Sequence, residues 1–383
     1  MLIVADENMP LLRETFAQLG EVRTYPGRHL RAEQVADADI LLVRSVTQVN
    51  RKLLKKSRVK FVGTATIGTD HIDLNYLQQC GIAVASAPGS NANAVVDYVL
   101  SALCALDGAM ESVLCGKQVG IIGLGNVGSR LLQRLQALGI ACIGYDPLLP
   151  LSSPLPTADL DTVLHCDVVC CHAPLTHDGD FPTRHLLDKS RLNQLPANAI
   201  LLNAGRGGVI DNFALKQLLQ TRNDVRVVLD VWENEPTIDA ELLKLVTLGT
   251  PHIAGYSLDG KIAGTRMVFE ACCRFLAVKS ELPLLMSSFL PVKINVPSHL
   301  YGSALTRAAI HSVYDVRVDN SNMRVALCDS ISVKVAERFD ALRKNYVERR
   351  EFSACEINNW SEFDVEQKAL LLKAGFVAPR LVA

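Results

Sequence analysis

The sequence predicts an α/β protein built on parallel sheets covered by helices, and three observations predict it. Short apolar runs alternate with helical stretches from the first residues onward, a pattern that requires parallel strands joined by crossover helices. A glycine-rich turn, GLGNVG at Gly123–Gly128, joins one such run to a helix in the middle of the chain. Two long helical stretches, Asn91–Leu106 and Leu258–Val278, enter and leave that middle region like a hinge pair.

The elements follow in order. LIVAD reads as a first strand, and Pro10–Leu19 as a helix stopped by Gly20. Strands are expected at EVRTY, DILLVR, VKFVGTA and GIAVASA before the apolar helix Asn91–Leu106. A second βα unit opens at KQVGIIGLGNVG. Its helix carries Val127, Leu131, Leu132, Leu135 and Leu138 at three-to-four spacing and ends at Gly139. Strands at ACIGYD, DVVCCHA, AILLNAG and VRVVLDV follow, then the exit helix Leu258–Val278, whose return completes the first sheet. The run SELPLLMSSFLPVKINVP over 280–297 is rich in Pro and Ser and reads as a linker. The last 90 residues form a separate small α/β element, with helical patterns near Ala304–Val313, Lys334–Arg349 and Val365–Gly375 and no chemical motif.

Composition narrows the function. The chain has 383 residues, 49% of them hydrophobic, enough for two or three domains. Its 39 basic and 40 acidic residues balance, which argues against nucleic acid or a membrane surface as partner. No run of 18 uncharged apolar residues occurs, and the start MLIVADENMP lacks a basic leader, so a cytoplasmic protein is expected. Eleven scattered cysteines then read as free, mostly buried thiols. His165, Cys166, Cys170, Cys171 and His172 invite a zinc reading. They fall along one strand, where successive side chains point to opposite faces and cannot converge, so no metal is expected.

GLGNVG follows the strand VGII and opens a helix, the context that a pyrophosphate-binding turn needs. Gly123 permits the tight turn, Gly125 lets backbone approach the anion, and Gly128 lets helix and strand pack. The helix N-terminus adds unpaired N–H groups and a favourable dipole. Asp146 ends the next strand, 18 residues beyond Gly128. A carboxylate there accepts from a ribose diol and repels a 2′-phosphate, so this Rossmann-type unit is expected to take NAD rather than NADP.

Three later segments supply groups suited to removing hydride from a 2-hydroxy acid. LLNAGRGGVID places Arg206 just past a strand, and a planar guanidinium pairs with a carboxylate. TPHIAGYS places His252 before the exit helix, and a neutral imidazole accepts a hydroxyl proton. VVLDVWENEP places Asp230 at a strand end and Glu235 five residues on, an acidic partner able to fix the tautomer and steady the imidazolium. Glu233 is a rival for that role. All three segments fall beyond the carboxyl ends of strands, where doubly wound sheets bind ligands.

With these motifs in place the chain resembles the D-isomer-specific 2-hydroxyacid dehydrogenase family, through GLGNVG with Asp146, NAGRGGVID, LDVWENEP and TPHIAGY. The resemblance implies the roles of Arg206, Glu235 and His252 as catalytic. It implies cofactor contacts at Gly123, Gly125, Asn126, Val127, Gly128, Asp146, Ala173, Ala204, Gly205, Asp230 and Gly255. Ala173 stands where several relatives carry Thr, which removes a hydroxyl contact and leaves the backbone one. A fuller match covers nearly the whole chain, including ADENMPLLRETFAQLGEV, LLVRSVTQVN, FVGTATIGTDHID, IAGYSLDGKIAGT and DALRKNYVERREF. It is similar to a branch of the family that oxidises a phosphorylated four-carbon 2-hydroxy acid with NAD⁺ and dimerises through an extra C-terminal domain. That similarity implies substrate contacts at Ser45, Thr66 and Tyr256, with Arg44 a further candidate for the phosphate. The domains implied are a flavodoxin-like split substrate domain at 1–95 plus 255–285, an NAD-binding Rossmann domain at 96–254 and a C-terminal dimerisation domain at 286–383. Two alternatives stay open: a sibling dehydrogenase, such as one for 3-phosphoglycerate, and an NAD-sensing binding protein without catalysis.

Overall fold

A computed structural model describes residues 1–150, 152–279, 281–282, 290–328 and 334–379. The chain forms two compact units, Met1–Ala92 with Tyr256–Pro291, and Asn93–Gly255 with Val292–Ala383.

The first unit holds five parallel strands: β1 (Leu2–Asp6), β2 (Glu21–Tyr25), β3 (Ile40–Val43), β4 (Phe61–Thr64) and β5 (Ala83–Ala85). Their order is β2-β1-β3-β4-β5, the flavodoxin-like arrangement. Strand alternation divides the core into two layers. Ile3, Ala5, Ile40, Leu42 and Phe61 face one side with Phe16 and Phe269. Val4, Leu41, Val43 and Val62 face the other with Val35, Leu54 and Leu77. The exit helix, Leu258–Leu276, returns to cover the first side, as the sequence predicts, and Phe269 meets Phe16 edge-on at 5.2 Å between ring centroids. Burying an aromatic ring of this kind makes truncation to alanine cost about 3–5 kcal/mol. The helix expected over Pro10–Leu19 is shorter, Leu12–Phe16, because Leu11 enters it at φ 55°, outside the helical region.

The second unit holds six parallel strands: β6 (Val119–Ile122), β7 (Cys142–Tyr145), β8 (Val168–Cys171), β9 (Ile200–Asn203), β10 (Arg226–Leu229) and β11 (Leu248–Gly249). Their order is β11-β10-β9-β8-β6-β7. The chain therefore steps outward from β6 to β7 and then back across to β8, which puts the topological switch point between β6 and β8. Beyond β7, among the described residues, an isolated Gly144–Thr157 bridge continues the sheet. The segment leading to it, PLLPLSSPLPTA, is broken by prolines that cannot donate to a ladder.

The C-terminal residues add helices at Gly302–Val313, Val316–Leu327, Val335–Lys344 and Val365–Ala374. Two short parallel strands, β12 (Val292–Ile294) and β13 (Cys355–Ile357), pair there. The linker expected over 280–297 is thus partly a strand, while its residues 280 and 283–289 lie outside the described residues. The β12 partner sits far along the chain, so no local signal marks it. Among the described residues no helix is long and apolar enough to cross a membrane, and all eleven cysteines are free.

Candidate active site

Parallel register brings four strand ends to one edge of the six-stranded sheet: Ile122 pairs with Cys171, Cys171 with Asn203, and Asn203 with Leu229. Just beyond β6, Gly123 turns the chain at φ 85°, and a Cβ there would meet the Ala173 backbone at 2.8 Å. Only glycine allows both the conformation and the approach. The helix Asn126–Ala137 starts at Gly125, which offers no side chain to cap the first-turn amides. A Cβ on Gly125 would meet nothing within 4 Å, so open space lies over those donors. That cradle suits a pyrophosphate. Asp146 is half-buried beside it, accepting from Leu124 N at 2.9 Å and Leu148 N at 3.1 Å, which fixes the carboxylate while leaving lone pairs for a ribose diol. The residues present fit NAD. His172, next to Ala173, is half-buried with both ring nitrogens shielded from solvent and unpartnered, and desolvation pushes its pKa down to about 4, so it is neutral.

Arg206, Glu235 and His252 come together. They line one cavity of about 310 Å³ with Leu175, Arg184 and Trp232. Glu235 Oε2 lies 2.7 Å from His252 Nδ1, and its Oε1 accepts from Trp232 N at 2.8 Å. Burial would raise the Glu235 pKa. The charge of His252 and its hydrogen bond, helped by the Trp232 amide, outweigh that and hold the carboxyl below its usual range. Glu233 is directed elsewhere: its oxygens meet His185 Nε2 at 2.7 Å and Asn212 N at 2.8 Å. Both carboxylates line the cavity, and of the two it is Glu235 that contacts His252. A larger cavity of about 760 Å³ lies in the C-terminal region, with no histidine among its lining residues.

Three anchors that sequence reading missed shape this site. Asn203, fully buried, accepts from Gly205 N at 3.1 Å and donates to Arg206 O at 3.0 Å, moulding the turn that carries Arg206. An Asn at a strand end before Ala-Gly is the signal that could have found it. A Cβ on Gly207 would collide with Trp232 and come within 2.6 Å of Glu233 N, so that glycine lets the Arg206 turn lie against the Glu235 loop. Thr250 Oγ1 donates to Asp230 Oδ1 at 2.7 Å and also meets Tyr98 Oη at 2.8 Å. Asp230, buried, further accepts from Ile253 N at 2.8 Å and Ala254 N at 3.0 Å. Its carboxylate thus holds the loop that presents His252, which sits in the left-handed region at φ 57°. Burial raises the Asp230 pKa, against the His252 charge and these hydrogen bonds.

In the first unit, Arg44 and Ser45 follow β3 and Thr66 follows β4, at the same sheet edge because Val43 pairs with Thr64. Ser45 is exposed and Arg44 half-buried. Thr66 Oγ1 donates to Gly68 O at 3.2 Å and lies 2.7 Å from Thr64 Oγ1, which meets His71 Nε2 at 3.1 Å. Burial lowers the His71 pKa, more than Asp70 raises it. Tyr256 stands just ahead of the Ser257 cap of the exit helix.

Comparison with known proteins identifies the family. Residues 101–254 match the D-isomer specific 2-hydroxyacid dehydrogenase, NAD binding domain, and residues 292–375 match a domain of unknown function. The chain belongs to the D-isomer specific 2-hydroxyacid dehydrogenase family, and its cofactor is NAD. It is 48% identical over 361 residues to the erythronate-4-phosphate dehydrogenase of Cellvibrio japonicus, covering 92% of this chain and 93% of that one. With the erythronate-4-phosphate dehydrogenase of Ectopseudomonas mendocina it shares 45% identity over 379 residues, 98% of each. Among solved structures, a D-lactate dehydrogenase from Aquifex aeolicus complexed with NAD and lactic acid aligns with a TM-score of 0.61 at 22% identity, over 72% of this chain and 96% of the other. An NAD⁺-bound 3-phosphoglycerate dehydrogenase of Entamoeba histolytica aligns with 0.62 at 24%, over 74% and 98%. At these identities the structural likeness establishes the shared fold.

Proposed function

We propose that this chain oxidises 4-phospho-D-erythronate to 2-oxo-3-hydroxy-4-phosphobutanoate with NAD⁺, in the route to pyridoxal phosphate. The carrying observation is the His252–Glu235 contact of 2.7 Å in the cavity that Arg206 also lines, on a chain 48% identical to an enzyme named for that substrate. With Nδ1–H donated to Glu235, Nε2 is the ring nitrogen left to accept. His252 takes the 2-hydroxyl proton through Nε2, and the Glu235 carboxylate stabilises the imidazolium that results. Arg206 pairs with the C1 carboxylate and draws charge toward the forming carbonyl oxygen. When bound, NAD⁺ supplies the acceptor for the C2 hydride.

Gly123, Gly125, Asn126, Val127 and Gly128 would hold its pyrophosphate and Asp146 its ribose. Ala173, Ala204, Gly205, Asp230 and Gly255 would line the nicotinamide side. Ser45, Thr66 and Tyr256 contact substrate, with Arg44 a cation for the phosphate. We assign 1–95 plus 255–285 as the substrate domain, 96–254 as the NAD domain and 286–383 as the dimerisation domain, whose 285/286 boundary lies outside the described residues. A homodimer through the last domain is supported by the exposed Val318, Val325 and Val347 near its large cavity. Free cysteines throughout support a cytoplasmic setting.

A substrate panel followed at 340 nm tests the reading. NADH should form fastest with 4-phospho-D-erythronate. Faster turnover of 3-phosphoglycerate or D-lactate would assign a sibling activity, and NAD binding with no turnover on any acid would leave a sensor.

A further inference from the structure

We infer that Arg349, from the C-terminal region, is a positioning residue for His252, clasping the backbone beside two of the three places where the chain passes between the two compact units. The inference rests on the dehydrogenase reading and deepens it, because it gives the C-terminal region a part in catalysis apart from assembly.

The chain leaves the first unit between Ala92 and Asn93 and re-enters it between Gly255 and Tyr256. One guanidinium nitrogen of Arg349 donates to Ala94 O at 3.1 Å and also to Ala254 O. Both carbonyls stand within two residues of those passages, and Ala254 is two residues beyond His252. The guanidinium is buried, so its charge must be matched locally. It lies 3.8 Å from the Tyr314 ring centroid and donates to Tyr346 Oη at 3.2 Å. Tyr314 and Tyr346 both donate to Asp319 Oδ2, at 2.8 Å and 3.1 Å, which supplies the balancing anion through two hydroxyls.

The His252 loop is thus gripped twice. Asp230 takes its amides, Ile253 N and Ala254 N, and Arg349 takes its carbonyl at Ala254. His252 needs such tethers. A non-glycine residue at φ 57° lies in the strained left-handed region and persists only where its surroundings over-determine it. Arginine suits the position because one planar group reaches two carbonyls and a hydroxyl, which the point charge of lysine cannot do from one place.

The test uses Arg349→Met, which keeps apolar bulk but donates nothing, and Arg349→Lys, in the full-length protein with the wild type as control. In Arg349→Met, kcat should fall about 10- to 100-fold, the scale expected for a misplaced catalytic group. NAD⁺ affinity by fluorescence titration should hold within about twofold, because the 123–128 turn is not involved. Arg349→Lys should fall between the two. Hydrogen exchange supplies a readout independent of turnover: amides 252–254 should exchange faster in the variant while those of 123–128 do not. A lower melting temperature with wild-type kcat and wild-type exchange at 252–254 would overturn the inference. Where Arg349 variants do not fold, Tyr346→Phe removes the hydroxyl that steadies the guanidinium, and unchanged kcat and exchange there would overturn it equally. If the wild type oxidises no hydroxy acid, the functional reading fails while the exchange comparison still decides the role of Arg349.

Discussion

Replacing Glu235 by glutamine removes one negative charge from beside His252 at nearly constant volume. Glu235 uses two oxygens, one for His252 Nδ1 at 2.7 Å and one for Trp232 N at 2.8 Å. Glutamine has a single carbonyl oxygen, so one of these donors loses its acceptor, and the imidazolium formed during proton transfer loses its counter-charge. A hydrogen bond to a charged group is worth about 1.5–3 kcal/mol, so kcat/KM should fall roughly 10- to 150-fold. NADH formation at 340 nm measures this, with NAD⁺ affinity determined separately to show that the cofactor turn is intact. The pH dependence has a definite sign. Because Glu235 has a depressed pKa, its contribution to stability is present above the ordinary value of 4.5 and is lost as pH falls through the lowered one. The melting-temperature gap between wild type and Glu235→Gln should therefore be full at neutral pH and narrow on acidification. A folded Glu235→Gln protein that binds NAD⁺ and turns over within about twofold of wild type would refute the assignment of Glu235 as the imidazole's partner.

Further outcomes follow from the same contacts. Glu233→Gln should lower the melting temperature by loosening His185 and Asn212, yet reduce kcat by less than about threefold, since Glu233 does not touch His252; steady-state kinetics beside Glu235→Gln separates the two. Asp146→Ser should raise the KM for NAD⁺ about tenfold and permit measurable activity with NADP⁺, by removing the carboxylate that repels a 2′-phosphate. Ser45→Ala and Thr66→Ala should each raise the KM for the phosphorylated acid by about tenfold with little change in kcat, the signature of lost uniform binding. Asp97, buried and bonded to Phe352 N, has its pKa pushed up to about 7 by burial. Its contribution to stability is full below about pH 4 and is lost as pH rises through about 7. Asp97→Asn should flatten the melting temperature across pH 5 to 8 in a thermal-shift series, and an unchanged slope would contradict that assignment.

The parallel strands were legible in the sequence because each is a short, doubly buried run. ILLV, VGII, VVCC and ILLN leave no other reading between turn residues. Elements set by distant partners were not. β12 pairs with β13 across the whole C-terminal region. The helix Val316–Leu327 buries only Val316, Met323 and Leu327, too sparse a stripe to show a period around DNSN. The helix expected to run to Arg349 closes at Asn345, and Arg349 lies instead against carbonyls more than ninety residues away. The site shows the same division. Arg206, His252 and an acidic partner could be read from local motifs, whereas the choice between Glu233 and Glu235 turns on where the β10 loop folds. Asn203 and Thr250, small polar residues at strand ends, show their purpose only once the loops they tie are seen.

The most direct test of the central claim is turnover of 4-phospho-D-erythronate by wild type and His252→Ala, with NAD⁺ binding measured on both. Wild type should form one NADH per substrate oxidised. His252→Ala should lose about a thousandfold or more in kcat while its NAD⁺ dissociation constant stays within about twofold. Wild-type turnover in His252→Ala, or no NADH from the wild-type enzyme, would contradict the account.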